Sequence, residues 1–165
     1  MSYYVGITIV IFSALLEASV LPLFRVFGMQ PNLTLVILVA WLIIRGADEA
    51  YVLAPIAGLF IGLVDGSLLG VALIALAPMA ILQDLRGAQL NESGLIMAII
   101  FTVVMSLLYN YVHLAVFTLQ GESGDWVEAT LRIILPVTFI NVAVLLPLYA
   151  VFSIVNPQPR RSLYA

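Results

Sequence analysis

The chain has 165 residues, of which 64% are hydrophobic and 9% charged, with a net charge of −3 and a mean hydropathy of +1.18. Too few polar groups are present to coat a water-soluble domain of this size, so the composition points to an integral membrane protein. The absence of cysteine excludes disulfides, thiolate metal sites and thiol nucleophiles; the single histidine, His113, argues against a histidine-rich metal site; and six scattered arginines without a lysine give no basic face for nucleic acid.

Six apolar segments are predicted in chain order, at about 3–24, 32–44, 51–64, 67–82, 94–119 and 126–155. The first has no basic residue ahead of it and is expected to be a retained membrane helix rather than a cleaved leader. A full span takes about 20 residues at 1.5 Å rise each, so segments one, five and six are long enough and two, three and four are short. Fusing three and four would give a helix of roughly 48 Å, well beyond the bilayer core, so a turn is expected at Asp65-Gly66-Ser67. Short helices of this kind must be shielded by neighbours where they stop early. The polar stretches 84–93, 120–128 and 156–165 are too short for a soluble domain, so residues 1–165 are read as one all-α, six-helix transmembrane domain.

Arginine placement gives the expected orientation. With both termini cytoplasmic, Arg45, Arg86, Arg160 and Arg161 lie inside and Arg25 and Arg132 outside, which favours that arrangement. The acidic loop 120–128 suits the outer face, with Trp126 and Trp41 as interfacial anchors.

Gly58, Gly62, Gly66 and Gly70 recur every four residues around Asp65. Such a series either packs helices closely within the bundle or forms a seam for a partner helix. An intramembrane carboxylate needs a polar neighbour. In the expected orientation Glu17, Asp65, Asn110, His113 and Arg132 all fall in the outer half of the membrane, and Thr102, Ser106, Asn110 and His113 make one stripe on the fifth helix. These residues are expected to form an outward-facing polar cavity or cluster, with Arg132 compensating Asp65 or Glu17; mutual satisfaction without a ligand is the plainer alternative. Enzymatic readings are weak. Ser67 lacks the glycine–x–serine–glycine pattern of intramembrane serine proteases, Glu17 and Asp65 have no support as a hydrolytic pair, and there is no phosphate-binding loop.

The run Gln30-Pro31-Asn32-Leu33, then Gly58-Leu-Phe-Ile-Gly62-Leu-Val-Asp65, then Leu69-Gly70-Val71-Ala72-Leu73, closely resembles MreD, the rod shape-determining membrane protein family of bacteria. The resemblance covers the whole chain in length and helix count, and its specific part is residues 30–73; Glu17 carries little weight in it. It implies a non-catalytic, cofactor-free protein of the bacterial cytoplasmic membrane. Its partner would be MreC, a bitopic protein with one membrane helix and a large outer domain. Through MreC it would join the elongation machinery of a class B penicillin-binding protein, RodA, RodZ and MreB filaments. Pro31, Asn32, Gly58, Gly62, Asp65, Gly66 and Gly70 would then hold the core or the docking seam. The resemblance also implies a bundle similar to the substrate-binding subunits of energy-coupling-factor vitamin transporters. That likeness leaves a second function open, a small-molecule-binding transporter subunit.

Overall fold

The computed structural model describes residues 3–23, 25, 28–45, 47–64, 70–79, 94–122 and 124–155. Their regular structure is helical, with no β-strand among the described residues. The helices are α1 (Tyr3–Ser19), closed by a 3-10 turn at Leu21–Leu23, α2 (Leu33–Arg45), α3 (Ala47–Val64), α4 (Val71–Leu76), α5 (Gly94–Leu119), α6 (Trp126–Ala129) and α7 (Leu135–Val155). A π-helical turn, Thr130–Ile134, joins α6 to α7.

Three stretches are long and apolar enough to cross a membrane: Tyr4–Leu23, Gly94–Leu119 and Trp126–Val155. They are the segments whose length sufficed in the sequence. Each is predominantly apolar and leaves large side chains such as Phe12, Phe117 and Phe139 exposed, as a lipid-facing helix does.

The short α2 lies at the centre. Every residue from Thr34 to Ile44 is buried, and α1, α3, α5 and α7 all pack against it. Thirteen residues give a helix of about 20 Å, shorter than a hydrocarbon core of about 30 Å. Its ends therefore lie within protein, and its neighbours supply the partners that lipid cannot.

α3 begins at Ala47, a turn earlier than its apolar stretch, and α4 packs back against it. A Cβ on Gly58 would stand 2.7 Å from the Cα of Leu73. In one straight helix those positions would be about 22 Å apart, so the chain reverses between them. The expected turn itself, Asp65-Gly66-Ser67, lies outside the described residues. Gly70, at φ +110°, caps the start of α4 in a conformation that favours glycine.

The π turn has a local cause. Pro136 has no N–H, and its ring clashes with the carbonyl four residues back, that of Arg132. Widening the preceding turn relieves the clash, and the Leu135 N–H reaches the Thr130 carbonyl five residues back.

Candidate functional site

The structure divides the polar residues expected in the outer half into two groups. The first is a buried seat for the N-terminus of α2. A helix start presents free backbone N–H groups and a positive dipole end, and in an apolar interior both need partners. Asn32 caps the helix: its Oδ1 accepts from the Leu35 N–H at 3.0 Å, and its carbonyl accepts from the Val36 N–H at 3.1 Å. Glu17, only 8% exposed, reaches across from α1, and its Oε2 accepts from the Thr34 N–H at 2.9 Å. A carboxyl oxygen here supplies an acceptor to one of the free N–H groups at the start of the helix. Ser13 Oγ, which donates to the Val10 carbonyl at 2.8 Å, lies 3.3 Å from Thr34 Oγ1.

The seat is braced from the far side of the bundle. Asn141 on α7 is fully buried, and its Oδ1 accepts from the Asn32 N–H at 2.7 Å. Its Nδ2 donates to Ser106 Oγ on α5. Four segments thus meet through side chains at one point of the backbone. The sequence reading missed Asn141, Ser13 and Thr34, and placed Glu17 in the polar cluster without its role at the start of α2. Asn141 carried a signal: it is the sole amide in the apolar stretch 126–155.

The opposite end of α2 is also tied down. Trp41 Nε1 donates to Glu49 Oε2 at 2.9 Å, and an Arg45 guanidinium nitrogen donates to Glu49 Oε1 at 3.0 Å. The Arg45 guanidinium sits 5.6 Å from the Trp41 ring centre, and Phe152 of α7 meets that ring edge-on. Trp41 is therefore a buried clamp rather than the interfacial anchor its position suggested. Burial raises the Glu49 carboxyl, but hydrogen bonds from Arg45 and Trp41 and the charge of Arg45 outweigh it and hold the group below its ordinary value.

The second group lines an open cleft of about 580 Å³ between α5 and the α6–π turn. Asn110, His113, Leu114 and Phe117 come from α5, at the spacing of one helical face. Asp125, Glu128, Arg132, Ile133 and Ile134 come from the other wall. Asn110 Nδ2 donates to the Ser106 carbonyl at 2.7 Å, and His113 Nδ1 lies 2.9 Å from the Tyr109 carbonyl, so both side chains are held on α5. Asp125 caps α6 by accepting from the Val127 N–H at 2.9 Å. Beside the cleft Tyr111 stacks on Trp126, and its hydroxyl lies 3.1 Å from Thr130 Oγ1.

Arg132 pairs with Glu128 at 3.2 Å, not with Glu17 as the sequence allowed. The expected single cluster is thus a buried seat and a separate open cleft, connected by the α5 stripe. Ser106 faces the seat and Asn110 and His113 face the cleft, while Thr102 Oγ1 is buried with no hydrogen-bond partner among the described residues. Asp65 and Gly66 lie outside the described residues. Gly62 is buried in α3 one turn beyond Gly58, and Pro31 leads into the Asn32 cap. No protein-family model, curated protein or solved structure matches the chain.

Proposed function

We propose that the chain is a non-catalytic membrane scaffold of the bacterial cell-elongation machinery. In this reading it is a six-helix bundle of the cytoplasmic membrane with both termini inside. It binds an MreC-like bitopic partner and so helps to regulate lateral peptidoglycan synthesis and cell shape. Contacts with the class B penicillin-binding protein, RodA, RodZ and MreB are indirect.

The observation that carries the reading is the seating of α2. A helix enclosed on all sides and tied at both ends makes a stiff body. Among the described residues, the buried Glu17, Asn32 and Asn141 are engaged in holding its backbone. The residues that carry the resemblance to MreD are those that build this body: Pro31 and Asn32 at the cap of α2, Gly58 at the α3–α4 contact and Gly70 at the start of α4.

Co-purification of the tagged chain with an MreC-like partner tests the proposal. Stoichiometric recovery is expected, falling when the core contact is disrupted by Gly58→Leu. Recovery no better than that by an unrelated six-helix protein refutes it.

The cleft favours the second reading, a small-molecule-binding subunit of an energy-coupling-factor-type transporter, because its volume is that of a ligand pocket. A vitamin-sized solute retained at one per chain, and recovery of a separate ATPase, would select it.

A further inference from the structure

The charged and polar residues of the cleft between α5 and α6 follow an order along its walls. The cleft opens beside the exposed residues Gly121, Glu122 and Gly124, so depth runs inward from there. Along α6 and the π turn Asp125 and Glu128 come first, and Arg132 lies one turn further in. On α5, which runs the opposite way, His113 and Asn110 lie one and two turns inside Phe117. By backbone position the two carboxylates stand nearest the loop and Arg132 starts about 6 Å beyond Glu128, the rise of four helical residues, with its guanidinium reaching back to Glu128 at 3.2 Å. Below and beside them the walls are apolar: Leu114, Ile133 and Ile134.

From water inward, a matching molecule presents a cation, an anion and then hydrocarbon. We infer that the cleft is a binding site for one zwitterionic phospholipid with a primary-ammonium headgroup, the phosphatidylethanolamine class. Asp125 and Glu128 accept from the ammonium, Arg132 and Asn110 donate to the phosphate, and the acyl chains run over Phe117 and Ile133. The inference requires a membrane but not the scaffold reading.

Arg132 supplies an independent argument. Its side chain is 78% exposed within a stretch otherwise apolar enough to cross a membrane. A guanidinium there is costly unless it meets an anion at the lipid surface. Its partner Glu128 is itself 56% exposed, and an exposed pair of this kind contributes little. A phosphate takes the guanidinium in a bidentate bond and frees Glu128 for the ammonium. The open side of the cleft suits a ligand whose chains leave along the surface. Phe117 and Ile133 are both about half exposed there, at 48% and 53%.

Native mass spectrometry of the full chain in detergent tests the site. The probes are phosphatidylethanolamine, phosphatidylcholine and phosphatidylglycerol with identical acyl chains. Phosphatidylcholine keeps the phosphate but its quaternary nitrogen donates no hydrogen bond, and phosphatidylglycerol has no cation. One phosphatidylethanolamine is expected to be retained about tenfold more strongly than either. Glu128→Gln should abolish the preference over phosphatidylcholine, and Arg132→Gln should weaken all three roughly tenfold. Both side chains are exposed, so neither change disturbs the core. Equal retention of the three lipids by the wild type, or a preference unchanged in Glu128→Gln, overturns the inference. In a second arm, photoactivatable phosphatidylethanolamine should label the chain near Phe117 and Ile133. Labelling confined to other faces overturns it, as does capture of a vitamin-sized solute or a partner peptide, and no lipid, by a photocrosslinker at position 117.

Discussion

Asn141 joins three helical segments with one amide, and its removal should be felt more than its size suggests. Asn141→Ala leaves the Asn32 N–H without its acceptor in a buried setting and opens a cavity, so a loss of about 2–3 kcal/mol is expected. Denaturant titration in detergent measures it. Thr102 on the same α5 stripe makes the contrasting case. Its buried hydroxyl has no partner among the described residues, so Thr102→Val should be neutral or stabilise by up to about 1 kcal/mol in the same titration. Glu49 precedes the apolar stretch Tyr51–Val64 and has its carboxyl held below the ordinary value of 4.5. A depressed folded value means that its stabilisation is in place above 4.5 and is lost as pH falls through the lower folded value. The melting temperature of wild type should exceed that of Glu49→Gln at neutral pH, and the gap should close on acidification below 4.5.

At the scale of elements, two glycines of one series have different causes. Gly58 is a contact: an added Cβ would meet backbone of α4, which cannot swing aside as a side chain tip can. Gly58→Ala should cost about 1–3 kcal/mol by forcing α3 and α4 apart. Gly70 is a conformation: nothing lies within 4 Å of its added Cβ, but φ is +110°. Gly70→Ala should cost about 1 kcal/mol through the backbone alone. Second-site shaving of the neighbouring Leu73 side chain should rescue neither, because Gly58 meets the Leu73 main chain and Gly70 meets nothing. Thermal unfolding of the single and double variants checks both. The π turn shows the same economy of cause, since Pro136 is enough to explain its position, and it sets Arg132 on the wall of the cleft.

For the whole molecule, α2 starts at mid-depth, beside Ser106 and Asn141, and ends beside Phe152 near the far end of α7. The Glu17–Asn32 seat is on the side of the 120–125 loop in the expected orientation, and the Trp41–Glu49 clamp is on the other. The chain has no native cysteine, so single-cysteine variants report cleanly. Gly124→Cys should react with a membrane-impermeant maleimide in intact cells. Reaction only after permeabilisation would invert the topology.

Membrane character, the three long apolar helices and the break between the third and fourth segments were legible from the sequence. They depend on local quantities: hydropathy summed over a window, rise per residue and the punctuation of glycine and proline. The cap at Asn32 was in view only as part of a family-like run. What the tertiary structure decided was the partnership of side chains distant in sequence. Glu17 serves a backbone 17 residues away and Asn141 one 109 residues away. No periodicity encodes such a pairing, because it arises when a short helix is enclosed and its free N–H groups must take whatever acceptors its neighbours bring. The separation of seat from cleft has the same origin. Ser106 and Asn110 lie one turn apart on α5, and only the placement of α7 and α6 determines which of them is sealed from the membrane surface and which lines an open wall.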